Sequence, residues 1–368
     1  MKRTVVIILL ITLCAGIAGA EGMHLEARCA YSGSLGVGSI VSFDAYVQEG
    51  KILAVSTLFP DYVLEAAAEE SLLLSGRPDQ TLLVSPDRAA ARLQELEDLF
   101  VRWLDLQGGE YRKGVYAGDL FDKAETRCSC AFRLDDLIAF IRARSDGLLP
   151  EGPGFPEVML KVSAFDENRF LSAQVCRGDD TVMTVSADLS VGTLRRFLFT
   201  WVEGERTYFR DISIQAADNR LEITCMFRAG SGTSLRTTEG TPPLFEEKLT
   251  VTRDTDNTSS FRMIFSSPAL SLPLTASGQY ETAEGGAHLS AEAFIEGRES
   301  EKLLMDVMLE GLVRPVSFED KKTIHTDSET ESALISIPIM SGLTTLAGEL
   351  IQALPKDYQQ VLLTLIFQ

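Results

Sequence analysis

Histidine is nearly missing from this chain. Its three copies, His24, His288 and His325, stand apart in sequence, with no Cys, Asp or second His at ligand spacing. That leaves no zinc pattern and no paired general base, and the expectation for each is an ordinary solvated or packed imidazole. Nucleotide and nucleophile motifs are missing as well: there is no G-x-x-x-x-G-K-[ST], no G-x-G-x-x-G, no G-x-S-x-G and no H-E-x-x-H. Basic residues are outnumbered, with 34 Lys and Arg against 53 Asp and Glu for a net charge of −19. Such a surface repels phosphate backbones and anionic headgroups, which argues against nucleic acid and against a polybasic membrane contact. There is no internal repeat of fixed period and no low-complexity tract.

Three short stretches imitate functional motifs, and each is better explained by turn chemistry. Gly230, Ser231 and Gly232 resemble a nucleophile turn but sit in a loop-forming segment without a paired base. Asp254, Asp256 and Asn257 begin like a calcium loop, yet Ser259 stands where Gly is needed and Phe265 where the closing Glu belongs. Arg177, Gly178 and Asp179 spell an adhesion tripeptide, although a Gly-Asp pair between two strands is what a hairpin demands.

The N-terminus carries the most specific signal. Lys2 and Arg3 precede an apolar run from Val5 to Leu13, then small residues up to Ala18, Gly19 and Ala20 before Glu21. This is the pattern of a secretory signal peptide cleaved after about residue 20, and it predicts export to an extracellular, periplasmic or envelope location. Without Lys2 and Arg3 the basic count falls from 34 to 32 against 53 acidic residues, a mature net charge of about −21. Cys14 belongs to the leader. The remaining Cys29, Cys128, Cys130, Cys176 and Cys225 are an odd set in a long chain, so they read as small buried hydrophobes with one or two disulfides open to them, their pairing undetermined.

What the chain has in abundance is period-2 alternation. From Glu157 to Val313 apolar and polar residues alternate between short turn clusters, as in Met183, Val185, Ala187 and Leu189 against Thr184, Ser186 and Asp188. Leu221, Ile223, Cys225 and Phe227 repeat the split, as do Phe261, Met263 and Phe265 against Arg262 and Ser266. Turn signals at Gly178, Gly204, Asn219, Asn257, Gly285 and Gly297 separate roughly ten or eleven strands. The expected fold class is α+β, mainly β. A long antiparallel meander forms a curved open sheet or half-barrel, with helices at about 86–106, 134–146 and 342–366 packing on or beside it. A one-sided sheet needs a covering layer on its apolar face.

Before the meander, strands are expected at His24 to Ser32, Ile40 to Val47, Lys51 to Leu58 and Thr81 to Val84. Ser85 and Pro86 then announce a helix, with Leu93, Leu96, Phe100, Trp103 and Leu104 as its packing stripe. Leu134, Leu137, Ile138 and Ile141 mark a second helix ending at Gly147. The expected organisation is a leader at 1–20, an α+β portion at 21–150, the meander at 151–330 and a helical tail at 331–368, with the Pro/Gly-rich 150–156 as boundary. Residues 229–244 read as a long surface loop and a weak site candidate. The tail stripe Leu343, Leu346, Leu350, Ile351 and Leu354 is interrupted by Glu349 and Pro355 and has no flanking basic cluster, so it is read as a cover for the sheet and not as a transmembrane helix.

A signal peptide, a long one-sided antiparallel sheet and apolar helices available to cap it together resemble the half-barrel fold of extracytoplasmic lipoprotein carriers and related lipid-binding lipoproteins. The resemblance covers the architecture of about 157–354 and no motif, and it implies a concave apolar face that shelters an acyl chain or peptide. The function expected is therefore a non-catalytic exported protein binding an apolar or amphiphilic ligand, or a partner, in a β-sheet cleft. The packing candidates for it are Phe261, Phe265, Leu309, Leu346 and Leu350, with no cofactor. A structural or interaction protein of the envelope is the alternative, and a hydrolase built on scattered carboxylates the third.

Overall fold

The computed structural model describes residues 22–33, 36–67, 86–108, 110–116, 124–145, 154–165, 170–191, 194–217, 219–230, 243–283, 286–311, 315–325, 355–356 and 358–359. The leader, most of the 229–244 loop, the strand expected at 81–84, and the tail with Leu346 and Leu350 lie outside them. In chain order the elements are β1 (Met23–Gly33), β2 (Gly36–Gln48), β3 (Lys51–Ser56), β4 (Tyr62–Ala67), α1 (Pro86–Leu106), β5 (Glu110–Tyr116), β6 (Ala124–Arg133) and α2 (Leu134–Arg142). The meander follows as β7 (Val158–Phe165), β8 (Phe170–Arg177), β9 (Asp180–Val191), β10 (Leu194–Glu203), β11 (Arg206–Ala217), β12 (Arg220–Gly230) and β13 (Phe245–Arg253). It continues with β14 (Thr258–Ser266), β15 (Leu274–Ala283), β16 (Gly286–Ile295) and β17 (Lys302–Gly311), and the short β18 (Lys322–His325) comes last. The eleven strands β7 to β17 are the alternating segments read from the sequence, and the fold is mainly β and antiparallel as expected.

The chain divides into two compact units, one formed by Met1–Val84, Asp254–Arg262 and Ala269–Gln368, the other by Ser85–Arg253 and Met263–Pro268. The segment 150–156, read as a boundary, lies inside the second unit.

In the first unit the order is β18-β4-β3-β2-β1-β17-β16-β15. The β2–β3 hairpin turns at Glu49 and Gly50, both with positive φ (54° and 71°), the two-residue turn whose twist matches antiparallel strands. Two pairings are not hairpins. β1 lies antiparallel to β17 with Leu25 opposite Leu309 and Ala27 opposite Val307, and β18 lies parallel to β4. β18 is seated by the segment before it, where Gln48 and Val316 exchange hydrogen bonds (Nε2 to O 2.7 Å, N to Oε1 2.8 Å) and Lys322 N donates to Asp61 O at 3.0 Å. One face gathers Leu25, Ala45, Ala54, Tyr280, Ala287, Leu289, Val307 and Leu309 into a buried cluster. From the tail, Tyr358 is buried and its hydroxyl donates to the Leu272 carbonyl.

The second unit is an uninterrupted antiparallel run from β5 to β13. Helices α1 and α2 cover one face. Leu99 and Leu104 of α1 and Leu137, Phe140 and Ile141 of α2 are buried against Phe132, Val162, Ala164, Leu171 and Ala187, with Trp103 set edge-on to Phe132 at 5.5 Å. α2 stops at Arg142, short of Gly147, because the chain turns out at Ala143 to Ser145 and Ser145 Oγ donates back to Ile141 O at 2.8 Å. Arg195 faces the helix side of β10 and is buried with Glu97 and Gln94 of α1 (Nη2 to Gln94 Oε1 2.9 Å), an ion pair that docks helix on sheet.

A Cβ placed on Gly278 of β15 would meet Ser290 O at 2.1 Å and the Phe261 ring at 2.8 Å. Backbone cannot rotate aside, so Gly278→Ala is expected to cost about 3 kcal/mol or more. Gly311→Ala, where nothing lies within 4 Å, should stay within about 0.5 kcal/mol of wild type. Urea unfolding midpoints check both, and equal midpoints would contradict the packing of Phe261 over Gly278.

Candidate functional site

The strands β10 to β14 each place one ring in a continuous row. Trp201 and Tyr208 are register partners on β10 and β11, and Phe227 and Phe245 are partners on β12 and β13. Ring centroids step from Trp201 to Tyr208 (5.6 Å), Phe227 (5.8 Å), Phe245 (5.0 Å) and Phe265 (5.8 Å), with planes inclined by only 15° to 29° at each step. Trp201 also reaches Phe227 at 5.8 Å. Offset, near-parallel rings at this spacing attract each other beyond their area burial, by about 0.5–1.5 kcal/mol a pair. Four inter-strand steps make the row roughly 19 Å long.

The row lies on the helix-covered face, since Trp201 alternates in phase with Phe197, which packs against the helix-covered core. The helix-packed core reaches Phe197 but includes none of the five rings, which are all half-buried. Met263, in phase with Phe265 on β14, is exposed at 38%. Two cations of β11 share the ladder face, Arg206 beyond Tyr208 and Arg210. Arg210 of β11 is the direct partner of Phe227 on one side and Phe199 on the other, and its Nε donates to Cys225 Sγ at 3.2 Å. That hydrogen bond, with the nearby Glu247 carboxylate, holds the guanidinium protonated even more firmly than usual against the cost of burial.

The opposite face of this unit is mixed: Leu198 and Phe209 are fully buried on it, Ser129 and Ser163 meet at 3.0 Å, and Arg196 pairs with buried Asp211 through two contacts of 2.9 and 2.5 Å. In the first unit the face away from the core carries all three histidines, each against a carboxylate on a neighbouring strand. His24 Nδ1 lies 3.1 Å from Glu310 Oε1 and Nε2 lies 3.2 Å from Asp44 Oδ1, while the ring stacks on Tyr46 at 4.5 Å. His288 is 3.1 Å from Asp306 and His325 is 3.4 Å from Glu65. The isolated imidazoles of the sequence thus meet carboxylates across strand seams, a relation that only the register reveals. The two oxygens at His24 sit at opposite ring nitrogens, a bridge between strands and not a chelate. No group of three or more His, Cys, Asp or Glu able to hold a metal occurs among the described residues.

Among the described residues Cys29, Cys128, Cys130, Cys176 and Cys225 are free thiols, buried or half-buried. Burial pushes the Cys29 thiol up, and burial together with Cys128 does the same to Cys130. Both are thereby made poorer nucleophiles.

The sequence-derived candidates separate. Leu309 is 2% exposed in the core of the first unit and Phe261 packs against that core, whereas Phe265 is the last ring of the ladder in the second unit. The residues missed as site candidates were Trp201, Tyr208, Phe227, Phe245 and Arg210. Their only signal was an aromatic near the end of successive strands, which means nothing until the register aligns them.

No protein-family model matches this chain, and no curated protein matches it. Among solved structures it is similar to OmpTdeltaL8, a loop L8 deletion mutant of OmpT, an outer membrane protein of Vibrio cholerae, at 8% identity over 78% of this chain and 97% of that one, with a TM-score of 0.19. The outer membrane protein opdK from Pseudomonas aeruginosa is similar at 9% identity, over 78% of this chain and 97% of that one, with a TM-score of 0.14. At those scores neither carries an argument about this chain.

Burial first, and then the carboxylates of Asp44, Glu26 and Glu310, raise the Tyr46 hydroxyl above the ordinary tyrosine range. A raised folded value means stability is whole below the unfolded pKa of about 10 and is lost as pH climbs through the folded one. Tyr46→Phe is expected to flatten the alkaline decline of the unfolding midpoint relative to wild type. Superimposable profiles would contradict that burial.

Proposed function

We propose that this chain is a non-catalytic, exported protein of the cell envelope that binds an apolar or amphiphilic molecule along the ring ladder. One observation carries the reading: five rings on five neighbouring strands form an unbroken row that the helix-packed core does not include. A core ring is normally covered by side chains from a second layer, whereas a binding surface is apolar, concave or linear, and left partly open. The ladder offers edges and faces to a chain or planar group laid across the strands. The leader pattern at Lys2, Arg3 and Val5 to Leu13 supports export. The binding residues of this reading are Trp201, Tyr208, Phe227, Phe245 and Phe265, so Phe265 keeps the role given to it from sequence, while Leu309 serves the core.

The chain has two tryptophans, Trp103 and Trp201, so Trp103→Phe leaves Trp201 as a reporter inside the ladder. Titration with the uncharged amphiphile 1-oleoylglycerol should give a saturable blue shift. In the Phe227→Ala/Phe245→Ala variant the affinity should drop about tenfold or more, equivalent to about 1.4 kcal/mol, while circular dichroism stays that of wild type. A response that does not saturate, or one untouched by the double substitution in a folded variant, would refute the assignment.

A further inference from the structure

Resting on the ladder reading, we infer that the ligand is a single-chain amphiphile with a monoanionic carboxylate head, of the fatty-acid class, its head held by Arg210 and its chain laid over Phe227, Phe245 and Phe265. The register places Arg210 between Phe199 and Phe227, so a guanidinium borders the aromatic row. Its Nε is occupied by Cys225 Sγ at 3.2 Å. That contact aims the side chain without a carboxylate partner of its own, and the planar terminal nitrogens match a carboxylate fork. In a chain of net charge −19, an exposed cation bordering half-buried rings is a local reversal of sign that an anionic head would answer.

Charge also limits the head. Glu247 is the register partner of Cys225, on the same face and beside Arg210. Its carboxylate repels an incoming anion in proportion to the anion's charge, just as Arg210 attracts it, so a second negative charge gains little where the two offset each other, while a dianionic phosphate monoester costs far more to strip of water. A single negative charge is the best compromise. From β11 the tail has three further rings to cross, on β12, β13 and β14.

The experiment measures dissociation constants by Trp201 fluorescence in the Trp103→Phe background for oleate, below its micelle-forming concentration, and for 1-oleoylglycerol. Arg210→Gln should weaken oleate about tenfold and leave 1-oleoylglycerol within about twofold. Arg210→Lys should recover part of the oleate affinity, because the charge returns without the fork. Glu247→Gln should tighten oleate several-fold and leave the neutral lipid unchanged. Equal binding of both lipids, or an Arg210→Gln variant that loses both in proportion while still folded, overturns the head-group assignment and leaves the ladder reading standing. Failure of both lipids to bind wild type overturns the head-group assignment and the ladder reading together.

Discussion

The parity of the strands is the constraint on which everything else depends. Because successive side chains point to opposite faces, sliding β1 by one residue against β17 would carry Leu25 out to the polar face and bring His24 in. With it would go the matched set Leu309, Val307, Ala45 and Leu289, a cluster buried on one face, and the carboxylates Asp44 and Glu310 would lose the imidazole between them. The His24 bridge and the leucine cluster are therefore two faces of one register, each penalising the slip that would destroy the other. In the second unit the same parity puts Phe197, Arg210 and Phe227 on the helix side and Leu198, Asp211 and Arg196 on the other.

Local patterning made much of this legible. Alternation marked the strands from β7 to β17, and glycines at positive φ close the hairpins at Gly178, Gly204 and Gly297 where turn signals stood. The stripe after Pro86 was a helix with its apolar side down, since Leu99 and Leu104 are buried. Illegible were contacts distant in sequence. His24 and Glu310 are 286 residues apart, and nothing near either announces the other. Arg195 looks like a fault in the apolar phase of β10 until α1 supplies Glu97, 98 residues earlier. The division into units was hidden for the same reason: the first unit is assembled from both ends of the chain, so no composition shift at 150–156 could reveal it.

The ladder shows how a site can hide in a regular pattern. Phe227 and Phe265 belong to the alternating stripes that define their strands and read as core. The difference between core ring and surface ring lies in what covers it. Towards one end of β10 to β13, Ala216, Leu221 and Val251 are closed off, at 4%, 1% and 0% exposure. Towards the other end Tyr208, Phe227 and Phe245 are half open. A helix laid over part of a long strand makes that gradient unavoidable, because α1 spans only part of the face and the sequence keeps the same alternation throughout.

Charge placement follows the same parity in the first unit. In the first unit the apolar face is covered by the chain's own atoms, with Leu25 at 2% and Leu309 at 2% exposure, while the other face carries Glu26, Asp44 and Asp306 within long strands and Glu310 and His288 nearer strand ends. Among the described residues no helix is long and apolar enough to cross a membrane. Among the described residues core burial and charge thus divide the two faces of the first unit between them. The ladder of the second unit is apolar surface of another kind, a row of rings one side chain wide with a guanidinium at its border, a shape suited to a single extended molecule.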